Sequence, residues 1–283
     1  MPQGKRPSVR RRRLALGLRK LREQAGASIE DVMHELNMSR AKVYRIENTE
    51  DATKVSLPDV IALCQLYSAP AEIREQLLEL ARAAVRRGWW SSYVSALTGW
   101  FVDYVSLEAE ATSVFEFEID AIPGLLQTER YARQVISAWA PDLDPAVLDA
   151  RVAVRMKRQS RLLEGMALTV VLDEYALSRP IGGPEQMQAQ LRHLLDVTTA
   201  PNIVLQVLPT AVGAHAALAT PYTLLRFPIS TPIVYMDTLT GGIYVDEAPD
   251  VARYETVAEQ LSDRALDVDE SRRVVECRLK ELE

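Results

Sequence analysis

The sequence predicts a multidomain protein: an all-α amino-terminal domain over residues 1–88 and a mixed α/β (α+β) domain over residues 89–283. Three observations carry this. Capped amphipathic helical patterns fill the first 88 residues. At Gly88 the composition changes abruptly to GWWSSYVSALTGWFVDYVSLE, which holds three of the four Trp residues. Beyond that segment, short β-branched runs alternate with helical periods. Charge divides at the same place. Residues 1–88 carry 17 Lys/Arg and 11 Asp/Glu, a balance of +6, and the remainder carries 16 and 28, a balance of −12.

In the first domain, Ile29, Val32, Met33 and Leu36 recur at three- and four-residue intervals, the apolar stripe of a helix facing a core. Ser28 precedes them as N-cap, and Asp31 completes an acidic capping box. Asn37 stands where a chain leaving a helix needs a left-handed residue. Ser39 is the next N-cap, and Val43 and Ile46 form the spine of a second short helix. Its other positions, Arg40, Ala41, Lys42, Tyr44 and Arg45, project elsewhere, and four of the five can bond DNA. Together these make a helix-turn-helix, whose second helix enters the major groove.

The run from Ser28 to Asn48 resembles the Xre-type, Cro and phage-repressor (lambda-repressor-like) family over roughly residues 10–70. The resemblance implies that Arg40, Ala41 and Arg45 read base edges, arginine through guanine O6 and N7 and alanine through a thymine methyl. Lys42 and Tyr44 are expected on phosphates, with Ser28 and Ser39 beside them. Glu47 is expected to anchor the end of the recognition helix. The family often has Gln where this chain has Ile29, so that polar contact is absent. The run Arg10 to Arg13 is read either as an arm reaching DNA or as a solvated helix start, with residues 1–9 flexible. Two further helices follow, Pro58 to Tyr67 after Ser56 and Ala71 to Arg87 ended by Gly88.

In the second domain, Trp89, Trp90, Tyr93, Trp100, Phe101 and Tyr104 either wall a ligand pocket or pack at a domain or dimer interface. Thr112 to Glu118 reads as a strand, Ile122 to Gln127 as a turn and Glu129 to Trp139 as a helix. A helix from Pro145 to Arg161 carries Arg151, Arg155, Arg158 and Arg161 as a basic stripe, which is either an anion-binding surface or a salt-bridged one. Met166 to Leu172 is expected as a buried strand. Gly182 and Gly183 then make a turn before a helix from Glu185 to Val197. Short strands are expected at 203–208, 222–227, 233–236 and 243–245, and helices at 249–266 and 269–282 close the chain. The segment Leu208 to Ala217, with Gly213 and Ala214 before His215, reads as a mobile loop over a pocket.

The strings SLEAEATSVFEFEIDAIPGLLQTERYA, VRMKRQSRLLE, VVLDEYALSRPIGG, QMQAQLRHLLD and VLPTAVGAH resemble the large actinobacterial domain of unknown function, DUF5753, that follows an Xre-type helix-turn-helix. Regulators with this domain include WhiJ-like, antitoxin-like proteins of Streptomyces. The resemblance spans roughly residues 88–283 and implies a transcription factor modulated by a small companion protein encoded nearby. Where the family often has Glu, VYMDT supplies Asp237. No chemistry follows from it.

The basic first domain fits a polyanion partner, a double-stranded DNA operator. Two-fold operators imply a homodimer. No apolar run spans a bilayer and no signal-peptide pattern begins the chain, so a cytoplasmic, nucleoid-associated protein is expected. Cys64 and Cys277 are expected as reduced thiols. His193 and His215, with Asp173, Glu174 and Glu185, are the remaining acid/base or metal candidates, but no catalytic signature accompanies them. The sequence thus reads as a non-enzymatic, cofactor-free and metal-free regulator, of developmental or secondary-metabolism genes. Trp89, Trp90, Trp100, Arg151, Arg155, Arg158 and His215 are its candidate ligand or partner surface. The alternative is an antitoxin-like module that sequesters a small partner and binds DNA mainly for autoregulation.

Overall fold

A computed structural model describes residues 8–83, 88–228 and 231–282. The chain divides into two compact units between Gly88 and Trp89.

The first unit is helical: α1 (Val9–Gln24), α2 (Ile29–Leu36), α3 (Arg40–Glu47), α4 (Leu57–Leu66) and α5 (Ala71–Ala83). The continuation of α5 expected over 84–87 lies outside the described residues, as do residues 1–7. The local signals act where the sequence places them. Ser28 Oγ accepts from the Asp31 amide while an Asp31 carboxylate oxygen accepts from the Ser28 amide. Asn37 adopts φ 49° and ψ 42°, the left-handed turn that ends α2. Ser39 and Ser56 cap α3 and α4. Leu14, Leu18, Val32, Val43, Ile46, Val60, Leu63 and Leu77 bury together as the core, and Ile29 packs against it. Helices α1 and α5 approach closely at Gly17, where a Cβ would lie 2.6 Å from Leu77 Cδ2.

The second unit opens with a 3-10 turn, Trp89–Tyr93, and α6 (Gly99–Glu108). It continues with β1 (Ser113–Glu118), a 3-10 turn at Gly124–Leu126, α7 (Glu129–Trp139), α8 (Pro145–Arg158), α9 (Ser160–Leu163) and β2 (Ala167–Asp173). Then come α10 (Glu174–Ser178), α11 (Pro184–Val197), β3 (Ile203–Leu208), β4 (Tyr222–Arg226), β5 (Ile233–Thr238), β6 (Gly241–Val245), α12 (Ala248–Arg264) and α13 (Val268–Glu281). The helix expected to run from Pro145 to Arg161 breaks at Gln159, whose amide side chain donates to the Gln127 carbonyl at 2.7 Å.

The six strands form one mixed sheet in the order β3-β2-β1-β4-β5-β6. Strands β1, β2 and β3 are parallel, joined by helical crossovers, and β4, β5 and β6 continue antiparallel. Side chains alternate across the sheet. One face, with Phe115, Phe117, Val171, Leu224 and Val234, packs with Val251, Ala258 and Leu261 of α12 as an apolar core. The opposite face carries Glu116 and Glu118 of β1 in register with Thr223 of β4, Tyr235 and Asp237 of β5 and Tyr244 of β6. That polar face meets α6 and α8.

Candidate functional site

In the first unit, α3 is only two turns long, too short to persist in water by propensity alone. Tertiary contacts fix it from three directions. Val43 and Ile46 are buried in the core. Arg11 of α1 donates to the Arg45 carbonyl at 2.5 Å, the Ile46 carbonyl at 3.1 Å and the Thr53 carbonyl at 2.7 Å. Two of these are carbonyls at the helix end, which need donors from outside the helix and attract cations. Arg22 pairs with Glu47 at 2.9 Å, and the Tyr67 hydroxyl donates to the same carboxylate at 3.5 Å. This bears out the anchoring role expected of Glu47.

The face left free presents Arg40, Ala41, Tyr44 and Arg45, all exposed, Tyr44 at 63 %. Arg40 forms an ion pair with Glu30 of α2. Lys42 forms one with Asp59 of α4 at 2.7 Å, so its ammonium is already engaged and is only partly exposed. The hydroxyls of Ser28 and Ser39 serve first as caps, accepting from the amides of Asp31 and Lys42.

Of the two readings of Arg10 to Arg13, the arm is overturned, and the helix start holds but is not solvated at Arg10 and Arg11. These residues lie inside α1, and Arg10 and Arg11 are buried. A chain committed to helix from Val9, with Ser8 as its cap, cannot reach out as an arm at those positions. Arg11 and Arg22 were not singled out as supports of the recognition helix. Their partners lie 25 to 42 residues away, and no local pattern signals such a pairing.

In the second unit the basic stripe follows the salt-bridged reading rather than the anion-binding one, and Arg158 within it is buried rather than at the surface. Arg158 is 4 % exposed and pairs with the buried Glu108 at 2.6 Å, and the Tyr104 hydroxyl donates to Glu108 at 2.9 Å. Burial opposes the Arg158 charge, but Glu108 outweighs it and holds the guanidinium protonated. Arg155 donates to Gln127 Oε1 at 2.9 Å, Arg151 to the Ala96 carbonyl at 2.9 Å and Arg161 to Glu164 at 2.5 Å. Gly124 leaves room for Arg155: a Cβ there would lie 3.0 Å from its Nη1. The spacing correctly put the arginines on one face. Arg155 and Arg158 there face acidic groups of the sheet and α6, Glu116 and Glu108 among them.

Of the aromatic segment, Trp89 lies edge-on to Trp90 at 5.9 Å and under the Lys157 ammonium at 5.2 Å. Trp100 meets Phe101 edge-on, and its carbonyl accepts from the Tyr244 hydroxyl at 2.7 Å. Phe101 stacks on Tyr104, which contacts Tyr235 at 4.3 Å. Trp100 and Tyr104 therefore join α6 to β6 and β5, whereas Trp89 packs on Trp90 and Lys157. His215 lies elsewhere, edge-on to Phe117 at 5.5 Å on the apolar face, with Nδ1 buried and unbonded among the described residues. His193 is half-buried on α11, and burial lowers its pKa. Asp173 caps α10, and Glu174 accepts from Thr210. Among the described residues no group of three His, Cys, Asp or Glu is placed to hold a metal.

The polar face concentrates acid. Glu116 is 5 % exposed and its Oε2 has no hydrogen-bond partner among the described residues. Burial pushes its carboxyl up to about 7, against the pull of Arg158. Glu118 is raised well above the ordinary range by burial and by Glu116 and Asp237, and Asp237 is raised by burial although the Tyr235 hydroxyl donates to it. This cluster was missed in the sequence except for Asp237. Alternation in SVFEFE marks Glu116 and Glu118 as facing the same way, which is its one visible sign.

The family described as a helix-turn-helix domain matches residues 13–77, and the family described as a domain of unknown function (DUF5753) matches residues 101–277. No curated protein and no solved structure matches the chain.

Proposed function

This chain belongs to the DUF5753 family, and from that premise we propose that its second unit sets the activity of the DNA-binding unit ahead of it. The helix-turn-helix domain makes the protein a DNA-binding regulator. The proposal goes further. The protein binds a two-fold operator as a homodimer and reads bases with Arg40, Ala41 and Arg45. It acts by binding rather than by turnover, and it controls developmental or secondary-metabolism genes of an actinobacterium through a ligand or small companion protein. The observation that carries the reading is the exposed row Arg40, Ala41, Tyr44 and Arg45 on a helix held rigid from behind by Arg11 and Arg22.

The experiment is operator selection from random duplex DNA with the full chain, followed by gel-shift titration at fixed salt. Arg45→Ala should cost about 1 to 3 kcal/mol at the selected site and relax sequence preference, while Lys42→Ala should weaken all sequences alike. Equal affinity of Arg45→Ala and the unmodified protein removes Arg45 from the readout. Loss of operator binding on adding a one-to-one companion protein favours the antitoxin-like reading instead.

A further inference from the structure

We propose that the polar sheet face at the carboxyl ends of β1 and β5 binds a small organic cation with N–H donors, an alkylamine or alkylguanidine. This deepens the reading of the second unit as a sensor by naming the ligand's chemistry.

The argument begins with topology. Strand β1 pairs parallel with β2 and antiparallel with β4, and β5 is antiparallel to β4 in turn, so β1 and β5 end at the same edge of the sheet. Glu118 ends β1, and extending the register past its last pairs, Phe117 with Tyr222 and Thr223 with Tyr235, sets Asp237 level with it. Two strand spacings separate them by about 10 Å, the span of a small molecule.

Charge selects the ligand. Glu116 senses Glu108 and Asp237 and the guanidiniums of Arg158 and Arg155. Arg158 is taken by Glu108, and Arg155 donates to Gln127. Asp237 lies at the solvent edge, whereas Glu116 and Glu118 lie close together and shielded, and do not both ionise without a further positive charge.

The buried Glu116 Oε2 is an acceptor with no donor, the kind of atom that a native fold rarely leaves unsatisfied. An ammonium or guanidinium supplies both the charge and the missing N–H. Of the rings beside the acids, Tyr104 already carries Arg158 over its face and Tyr235 is buried against it, while Tyr244 is partly exposed and offers a ring that attracts cations. Gly242 lets the Tyr235 ring pack on β6, since a Cβ there would lie 2.5 Å from Tyr235 Cε2. Asp237 is exposed and Arg155 and Glu118 keep accessible surface, so the cluster is reached from solvent.

The test titrates the full chain, without DNA, with agmatine and with putrescine at pH 8 by isothermal calorimetry. Tetramethylammonium, magnesium and 1,4-butanediol are run beside them. One saturable site for agmatine or putrescine is expected, weakened roughly tenfold or more by Glu116→Gln. Glu116→Gln keeps the side chain's shape; Glu118→Gln, at the accessible rim, is the second variant and should also weaken binding. Absence of binding by both amines, full binding in both variants, or equal binding of tetramethylammonium or magnesium overturns the proposal. Operator affinity with and without bound amine is measured separately. If it is unchanged, the sensor reading fails and the site stands; if no amine binds, the site fails and the sensor reading stands.

Discussion

Arg22 on α1 holds the Glu47 carboxylate at the end of α3 through three hydrogen bonds, Nε to Oε1 at 2.9 Å and to Oε2 at 3.0 Å, and Nη2 to Oε2 at 2.9 Å. Both side chains are largely shielded, at 14 % and 7 % exposure. Removing one partner leaves the other charge buried, so Glu47→Ala should destabilise the first unit by about 3 kcal/mol. Urea denaturation followed by far-UV circular dichroism measures this. A midpoint unchanged from the unmodified protein would show that the pair does not hold the helix.

Arg11 tests the same support through backbone carbonyls. Arg11→Met keeps the aliphatic stem but leaves the Arg45, Ile46 and Thr53 carbonyls without their donor. The expected loss is about 1 to 3 kcal/mol of stability. Hydrogen exchange should quicken at the amides of α3 before those of α4.

If Arg40 contacts DNA as proposed, Glu30 competes for it, since the two form an ion pair. Both side chains are well exposed, so the pair contributes little to stability. Glu30→Gln should therefore leave the unfolding midpoint unchanged while it raises DNA affinity, by freeing Arg40 and removing a negative charge from the binding face. Weaker binding by Glu30→Gln in a gel shift would mean that the pair presents Arg40 to DNA rather than withholding it.

Glu116 makes the second unit's stability depend on pH in a defined direction. Its carboxyl stands at about 7 in the folded chain against an ordinary 4.5, so the folded state binds the proton more tightly than the unfolded state. The resulting cost to stability is present above pH 7, shrinks as pH falls from 7 towards 4.5 and is absent below that. Glu116→Gln should therefore stabilise by about 1 to 3 kcal/mol at pH 8 and by far less at pH 5. Denaturation at the two pH values reads the difference, and an equal effect at both would contradict it.

The Arg158–Glu108 pair predicts an asymmetry. Glu108→Gln alone strands the Arg158 guanidinium, 4 % exposed, and should cost about 3 to 5 kcal/mol. Replacing both by apolar residues of similar size, as Arg158→Met with Glu108→Leu, should recover much of that loss. A double variant no more stable than Glu108→Gln in thermal unfolding would assign the loss to packing rather than to charge.

The contrast between α3 and α8 shows what a sequence reveals. Both helices were legible as helices, and both basic rows were placed on a common face. On α3, Val43 and Ile46 sit among the basic residues and mark the buried side, so Arg40, Tyr44 and Arg45 were correctly read as outward. On α8, Val152 and Val154 turn inward together with Arg158. An inward arginine looks like an outward one until its partner is known, and Glu108 lies 50 residues away. The Arg10 to Arg13 run misled for the same reason, since a string of arginines is solvated unless carbonyls such as those of Arg45 and Ile46 are brought to it.

By itself the sequence determined what depends on neighbours within a few residues. The caps at Ser28 and Ser39, the left-handed turn at Asn37, the helix spans and the alternation of β1 all arise from interactions inside one or two turns of chain. Only the tertiary structure decided the strand order, the clamp of Arg11 and Arg22 on the recognition helix and the meeting of Glu116, Glu118, Asp237 and Arg155. Those contacts close loops of tens of residues, and they form because burying the helical core of the first unit and both sheet faces of the second brings distant charged side chains together. The strength of each charge there depends on how much water the fold removes, which no local stretch of sequence records.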